Sequence, residues 1–469
     1  MKRNIGLTVL LAYLLMLCAC QETPAKEAVI NKNDGKLEEI ISSEAVDAEQ
    51  TIFDNQSDGT NEELADKSEP GVLSERWSQL YNIQGLDCVI DADIILPDKK
   101  EFPVYKIKQR EFNEHTIQKV LEFFTKDATG MRETSPTKEE LEMELILAKR
   151  GCFMEADGVA TWEPYEGQKE DIARLEEQIK NTGEEVFFPV TDDIVLPKAD
   201  TYAMPDGSRV YVRAETDSIY IEPLKFGFVQ PESWVIAGDA YPGEPKGTTL
   251  DNVKISQQEA YEIVNSFLDE VGIENMGIAE AEKARLLLDM TYKTVSEGWE
   301  ITLARNDGGN VPIHIDNQPS GILYHRVEEY TQRWYPEVIR LYVDETGVKT
   351  FVWRYPIEVT EVLNQNVLVL GFEEIKERIL KSIKFGFSYV KEMVKEDGGE
   401  LTDQKIEVNK TVLTNVMIPI KDETEYQMLV PAWIIYYSQD RGVKTVSSFI
   451  AVNAIDGSSI DLKVRQKTE

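Results

Sequence analysis

The chain has 469 residues, which is long for one hydrophobic core and predicts two or three domains. Its 85 acidic residues outnumber the 50 basic ones, and the formal net charge of -35 disfavours nucleic acid and anionic lipid headgroups as direct partners. An apolar content of 42% is enough to build the cores of those domains.

The amino terminus has the features of a secretion signal. Lys2 and Arg3 are followed by an uncharged stretch that is rich in leucine between residues 7 and 17. A membrane-spanning helix needs about 20 predominantly apolar residues, so this shorter stretch favours a signal peptide over a permanent span.

That stretch ends in Leu17-Cys18-Ala19-Cys20, which resembles the bacterial lipobox, although Cys18 departs from the small residue usual at its position. The resemblance implies a signal peptide over residues 1–19 and acyl chains such as palmitate on Cys20. These chains would anchor the protein in the lipid bilayer, on the extracytoplasmic face of a Gram-positive cell membrane. The alternative is a secreted protein that is cut at an ordinary site and keeps Cys20 as a free thiol.

Residues 20–70 are predicted to be the lipidated Cys20 followed by a disordered acidic tether. Between residues 21 and 70 there are 14 acidic and 4 basic residues, and Phe53 is the only aromatic residue. Such a composition disfavours a packed core, and a flexible coil of this length reaches on the order of 40 Å.

Two cysteines remain once the signal is removed and Cys20 is acylated, namely Cys88 and Cys152. Outside the cytoplasm they are candidates for a disulfide. The sequence leaves open whether they pair, because it does not show how far apart they lie.

Residues 71–245 are predicted to form an N-terminal α+β domain. Strand-like runs at 88–97 and 104–107 are followed by helical apolar spacing at 114–124, 137–150 and 172–179. Strands then return, and Pro205-Asp206-Gly207 predicts a hairpin between two of them. The Pro- and Gly-containing residues 230–249 predict a linker to the next domain.

The carboxy-terminal half repeats an order of elements. Ser256 and Glu259 form a capping-box pattern before a helix with one apolar stripe, and strands and a turn at 344–347 follow. A second helix, further strands and a hairpin signal at Asp456-Gly457 come after residue 371. We therefore predict an α+β fold of antiparallel sheets with packed helices, whose C-terminal half is a tandem of two small α+β units over 250–355 and 356–469.

Short motifs in this half resemble known families. Pro431-Ala432-Trp433 before a strand, and then the segment 453–457, resemble the ending of PepSY-type and YycI-like extracytoplasmic regulatory domains. With the lipobox and the acidic tether, the whole chain resembles a family of uncharacterised Clostridial lipoproteins, described as a domain of unknown function. The resemblance implies membrane anchoring and the binding or inhibition of a membrane partner, and it implies no catalytic residue.

Motifs for catalysis are missing from the sequence. The chain has only three histidines, His115, His314 and His325, and none has a paired metal-ligand spacing. We therefore predict no metal site, no cofactor and no catalytic residue. Four aromatic residues could form a platform for a sugar or a peptide, unless they are partly buried core residues: Trp334, Tyr335, Trp353 and Tyr355.

The leading hypothesis is a non-enzymatic, membrane-anchored lipoprotein with a binding or regulatory role, whose partner is a membrane or envelope protein or peptide. One alternative is a cell-envelope glycan or peptide hydrolase with carboxylates in a cleft. Another is the solute-binding lipoprotein of a transporter, which the strand-rich pattern disfavours.

Overall fold

A computed structural model describes residues 36–43, 72–83, 86–97, 100–133, 138–150, 153–156, 159–162, 166–183, 186–191, 195–224, 235–237, 250–287, 294–307, 335–381, 383, 405–420, 423, 425–440 and 445–460. Several predicted features lie outside these residues, including the signal peptide, Cys20, Cys152, His314, His325 and Trp334.

Strands make up most of the regular structure, which confirms the α+β prediction in its coarse form of antiparallel sheets with few helices. The helices are α1 (Lys36–Ile41), α2 (Glu114–Thr125), α3 (Lys138–Arg150), α4 (Glu166–Asn181), α5 (Gln257–Val271) and α6 (372–381). The strands are β1 (Val72–Ile83), β2 (Leu86–Leu96), β3 (Val104–Gln109), β4 (Gly130–Glu133), β5 (Phe153–Ala156), β6 (Val159–Trp162), β7 (Lys198–Ala203), β8 (Arg209–Ala214), β9 (Ser218–Leu224), β10 (Val235–Ala237), β11 (Met276–Leu287), β12 (Thr294–Arg305), β13 (Val338–Asp344), β14 (Gly347–Arg354), β15 (Ile357–Asn364), β16 (Lys405–Pro419), β17 (Gln427–Asp440), β18 (Thr445–Asn453) and β19 (Ser459–Ile460).

Eight strands from the two ends of the folded chain form one sheet, which we call the terminal sheet. Its order is β1-β2-β16-β17-β18-β19, and β3 pairs with both β15 and β17. The pairing of β2 with β16 is parallel and joins residues 87–95 to residues 405–412. Strands of the predicted regions 71–245 and 356–469 therefore share one sheet. A parallel pair of strands so far apart in sequence has no local turn signal.

Nine strands form the second sheet, which we call the central sheet. Its order is β10-β11-β12-β13-β14-β9-β8-β7-β4, and all of its pairs are antiparallel. Strands of the predicted N-terminal domain and of the predicted unit 250–355 meet where β9 pairs with β14. That boundary between predicted domains therefore also runs through a single sheet.

Helices α2 and α5 pack against one face of the central sheet, which we call the covered face. The ring of Phe267 on α5 lies 4.7 Å from that of Phe123 on α2 and 5.5 Å from that of Phe351 on β14, between centroids. The predicted capping box is present: Ser256 N donates to Glu259 Oε2 at 2.8 Å, and Glu259 N donates to Ser256 Oγ at 3.2 Å. This cap satisfies two of the amide groups that a helix leaves unpaired at its start.

Two tryptophans each donate a hydrogen bond to a backbone carbonyl just before a helix. Trp299 Nε1 on β12 donates to Ile255 O at 3.0 Å, immediately before the N-cap of α5. Trp433 Nε1 on β17 donates to Leu370 O at 3.0 Å, shortly before α6 begins. Each indole thus ties the start of a helix to the second long strand that follows it.

Helix α1 lies within the region predicted to be a disordered tether, and it is docked on the terminal sheet. Ile41 is buried in that core, and Asn364 Nδ2 donates to Ile41 O and to Ser43 O, both at 3.0 Å. The prediction of disorder is therefore wrong for residues 36–43. Leu37, Ile40 and Ile41 form a local apolar cluster that the acidic average composition concealed.

The two sheets meet through a small apolar cluster made of Ile107, Ala304, Ile357 and Leu429. Ala304 belongs to the central sheet, and the other three residues belong to β3, β15 and β17 of the terminal sheet.

The turn predicted at 344–347 joins β13 to β14, and the predicted hairpins are found between β7 and β8 and between β18 and β19.

Candidate functional site

The structure divides the predicted aromatic platform. Trp353 is 4% exposed, its Nε1 donates to Glu337 Oε1 at 2.9 Å, and its ring packs edge-on against Phe112 at 4.7 Å. Trp353 is therefore a core residue and is not part of a platform. Tyr335 and Tyr355 do come together, with half-buried rings stacked 4.6 Å apart, whereas Trp334 lies outside the described residues.

The structure makes Cys88 a free thiol that is buried in the core of the terminal sheet. Burial raises the pKa of this thiol to about 11, which keeps it protonated and unreactive. This observation argues against the candidate disulfide with Cys152, although Cys152 itself lies outside the described residues.

A buried ionic network lies beside the junction of the two sheets. Arg305 forms a bidentate pair with Asp307 at 2.7 and 2.9 Å, and its Nη1 lies 3.2 Å from Glu337 Oε2 and 3.1 Å from Ile357 O. Glu337 also accepts from Ile357 N at 3.3 Å. The charges are thus paired and hydrogen-bonded as burial requires, and the network joins the central sheet to β15. We interpret it as structural.

The face of the central sheet opposite α2 and α5, which we call the polar face, carries charged and aromatic side chains in register. One row of cross-strand neighbours crosses six strands from β8 to β11: Arg213, Tyr220, Val352, Arg340, Thr302 and Glu280. A second row on the same face contains Arg132, Thr201, Tyr211 and Glu222 on β4, β7, β8 and β9, and Thr350, Tyr342, Glu300 and Glu282 on β14, β13, β12 and β11. Because side chains alternate along a strand, all of these residues lie opposite the covered face.

Five arginines share this face, and four of them flank aromatic rings. Arg354 and Arg213 lie 5.1 and 5.8 Å from the centroid of Tyr220. Arg132 and Arg209 lie 6.0 and 5.8 Å from that of Phe187. The fifth, Arg340, lies in the first row. Such cation–π contacts help to hold a guanidinium in place.

The acidic residues of the polar face are concentrated at the other side of the sheet, on β11 and β12. Glu280, Glu282 and Glu300 lie there, whereas Glu222 on β9 lies among the arginines. The arginines of this face therefore lie on β4, β8, β14 and β13, and most of its carboxylates lie on β11 and β12. We call the basic part, defined by Arg132, Arg209, Arg213, Arg340 and Arg354, the arginine surface.

Two carboxyls of the polar face have strongly shifted pKa values. Burial raises the pKa of Glu222 to about 8, and the charge of Arg354 opposes this shift. Burial raises the pKa of Glu300 to about 7, with Glu280 and Glu282 adding to the shift and Arg340 opposing it. Perturbed carboxyls of this kind mark candidate functional sites.

The distance between these two carboxyls bears on the hydrolase alternative. Glu222 and Glu300 are separated by three strand spacings, which is about 14 Å. The paired carboxyls of a glycosidase lie about 5 to 9.5 Å apart. Glu222 and Glu300 therefore do not fit as one catalytic pair, whereas Glu282 and Glu300 are direct cross-strand neighbours.

The described ranges of the chain contain neither a metal-binding cluster nor a membrane-spanning helix. Those ranges hold no group of three or more His, Cys, Asp and Glu residues that could bind a metal ion. None of their helices is long and apolar enough to cross a membrane. His115 is exposed on α2.

Sequence reasoning did not find the arginine surface. A signal was present in β8, where Arg209, Tyr211 and Arg213 alternate with valines. That period-two pattern predicts a strand with one polar face. It does not reveal that Arg340 and Arg354, more than a hundred residues later, share that face.

Comparisons with known proteins give no functional assignment. No protein-family model matches the sequence, and no curated protein matches it. Among solved structures, the chain is similar to an uncharacterized protein from Eubacterium rectale ATCC 33656, with 14% identity over 80% of this chain and 90% of the other, and a TM-score of 0.43. A likeness at this level carries no inference about fold or function.

Proposed function

We propose that this chain is a lipid-anchored, extracytoplasmic protein with a binding or regulatory role, and that the arginine surface is its binding surface. The observation that carries the proposal is the concentration of five arginines on one sheet face of a chain whose net charge is -35. An excess of arginine on one sheet face of an acidic protein favours a role in recognition.

The anchor follows from the lipobox resemblance at Cys20. If the acyl chains are attached there, residues 21–35 separate the membrane from the docked helix α1. A flexible coil of that length reaches about 20 Å, half the reach of the whole predicted tether. The folded sheets would then act close to the membrane.

The anchor is tested by expressing the full chain and a Cys20→Ala variant in a Gram-positive host that is fed an alkyne-labelled palmitate. The wild type should carry the label and sediment with the membranes. The variant should lose both properties. An unlabelled wild type would contradict the anchor.

The binding surface is tested with a photoreactive amino acid placed at Tyr220 of the full, membrane-bound chain. Illumination should give one discrete adduct from this position. The same amino acid at Glu262, which is exposed on α5, is the matched control and should give none. Equal adducts from both positions, or none from Tyr220, would overturn the assignment of the surface.

We further propose that the C-terminal half is a tandem of two α+β units related to PepSY-type regulatory domains. Each proposed unit has a helix (α5 or α6) followed by consecutive antiparallel strands (β11–β14 or β16–β19). The matching contacts of Trp299 and Trp433 with the chain before each helix support the proposal.

A hydrolase is the second candidate, and the Glu282–Glu300 neighbour pair is the observation that favours it. In such an enzyme Glu300, with its raised pKa, would be the acid. Release of soluble fragments from purified cell wall by the wild type, lost in Glu300→Gln, would support this role. No release by the wild type would eliminate it.

A further inference from the structure

The four edges of the two sheets are not protected in the same way. The terminal sheet ends at β1 and β19, and the central sheet ends at β10 and β4. Among the described residues, β19 has two residues and β10 has three, and the outer side of β4 is bridged by Phe188, which precedes Pro189. Short strands and proline keep an edge from pairing with another chain. Strand β1 differs, because it has 12 residues and none of them is proline or glycine.

The outer side of β1 offers backbone groups for pairing. The register of β1 with β2 ends at Ile83 opposite Leu86, and the closing pair of such a two-residue hairpin exchanges both of its hydrogen bonds. Because hydrogen-bonded pairs alternate along the strands, the N–H and C=O groups of Ser78 and Leu80 point away from β2. Within the part of the chain that the structure describes, β1 has no neighbouring strand on that side. Both residues are exposed, Leu80 by 69%.

The exposed part of β1 also lacks the charges that usually protect an edge. Residues 77–83 include no charged side chain, although 29% of the residues of the chain are charged. On the face of Leu80, its nearest neighbours along the strand are Ser78 and Asn82. If this stretch pairs antiparallel with itself, Leu80 lies opposite Leu80 and Ser78 lies opposite Asn82. No like charges are then opposed within the stretch.

From these features we infer that β1 pairs with β1 of a second copy of this chain, antiparallel and centred on Leu80, so that the two terminal sheets become one. This inference goes beyond the proposed binding role and does not depend on the arginine surface. The two copies of Leu80 would exchange both backbone hydrogen bonds, and their side chains would cover each other. The contact is two-fold and self-complementary, so it closes at a dimer.

The position of helix α1 favours a second copy over a peptide of another protein. Helix α1 packs in the core of the terminal sheet with Trp77, on the face opposite Leu80. The two-fold axis of an antiparallel strand pair is perpendicular to the sheet, so both copies of α1 lie on the same face of the joined sheet. Both chains can therefore be anchored in one membrane through the residues before α1, as the proposed anchor at Cys20 requires. Anchoring in one membrane also raises the effective concentration for a small contact.

The test uses the full chain in its host membrane, with cysteines introduced into β1. Leu80→Cys should give a disulfide-linked dimer on mild oxidation, because the paired Cα atoms would lie about 5.5 Å apart. Ser78→Cys is the matched control and should not link, since two copies of this residue would lie about 14 Å apart. The double variant Ser78→Cys with Asn82→Cys should link again. The wild type controls for the native cysteines.

A charge at the axis tests the contact itself. Leu80→Asp, added to the double-cysteine variant, opposes two carboxylates and should lower the linked fraction about tenfold. Val195→Asp in the same background is the matched control, because Val195 is 74% exposed and lies just before β7 of the central sheet, and it should leave the linked fraction unchanged. Circular dichroism of the purified variants shows whether each is folded.

Three results would overturn the inference. The first is no linked dimer from Leu80→Cys, and the second is equal linking by Leu80→Cys and Ser78→Cys, which indicates chance collision. The third is a disulfide from Leu80→Cys to a different protein, which would make β1 a binding edge for another chain. None of these results affects the tests at Tyr220 and Cys20, because neither of those tests involves β1.

Discussion

The covered face and the polar face of the central sheet are made from alternate residues of the same strands. On β9, Ile219 and Ile221 are fully buried in the core beneath α2 and α5, whereas Tyr220 and Glu222 point to the other side among arginines. The covered face is stabilised by apolar burial, which is non-directional and depends on volume. The polar face depends on matched charges and rings. Apolar packing explains which residues occupy the covered face. It does not explain the charged residues of the polar face.

The largest effect is expected on the covered face. Phe351 is fully buried against Phe267 and Trp353, so Phe351→Ala should lower the free energy of unfolding by about 4 kcal/mol. Tyr220→Ala, on the polar face of the neighbouring strand, is the matched variant and should cost about 1 kcal/mol. Urea unfolding of both variants checks the comparison, and equal losses would break it.

The second largest loss of stability is expected for the buried carboxylate of Glu337. Glu337 is 1% exposed and holds Arg305, Trp353 and Ile357, so Glu337→Gln should cost about 3 kcal/mol. Glu358→Gln breaks an exposed pair with Lys108 and should change the free energy by less than about 1 kcal/mol. A neutral result for Glu337→Gln in urea unfolding would contradict the structural role of the network.

The polar face should make stability depend on pH. Burial raises the pKa of Glu222 to about 8, with Arg354 and Tyr211 as its charged and titratable neighbours. Between about pH 4.5 and pH 8 the folded state keeps a proton that the unfolded state has lost, so stability falls as the pH rises through this window. From pH 6 to pH 7.5 this group should cost about 2 kcal/mol.

Glu222→Gln should remove this contribution to the pH dependence of the free energy of unfolding. The stability of the variant should therefore rise relative to that of the wild type as the pH rises. Glu222→Asp keeps a titratable group and should keep the pH dependence. Chemical unfolding at pH 6 and pH 7.5 measures the difference. A slope equal to that of the wild type in Glu222→Gln would show that this carboxyl is not buried in the way described.

The smallest effect is expected where a helix docks through few apolar contacts. Helix α1 is held by Ile41 and by the two hydrogen bonds from Asn364, so Asn364→Ala should cost about 1 kcal/mol. Hydrogen exchange of residues 36–43 should rise in this variant. Asn82→Ala, which removes an exposed hydrogen bond to Asp87, should leave that exchange unchanged. Unchanged exchange in Asn364→Ala would show that α1 is held by other contacts.

Local features were predictable from the sequence because their causes are local. The cap at Ser256 and Glu259, the apolar stripe of α5 and the turns at Gly207 and Gly457 each depend on residues a few positions apart. The docking of α1 was missed because three apolar residues were judged together with a long acidic segment. The sequence left open whether Trp353 belongs to a platform or to the core, because its exposure depends on Phe112 and Glu337, which the sequence does not place beside it.

What the sequence by itself determined is therefore the kind of many elements, the positions of several turns and the acidic character of the chain, since these follow from spacing and composition. The tertiary structure decided which strands are neighbours. The parallel pairing of β2 with β16 closes the terminal sheet across the whole chain, and the pairing of β9 with β14 brings Arg213 and Arg354 to either side of Tyr220. Such contacts depend on how buried surfaces fit together over hundreds of residues, and no local pattern encodes that fit.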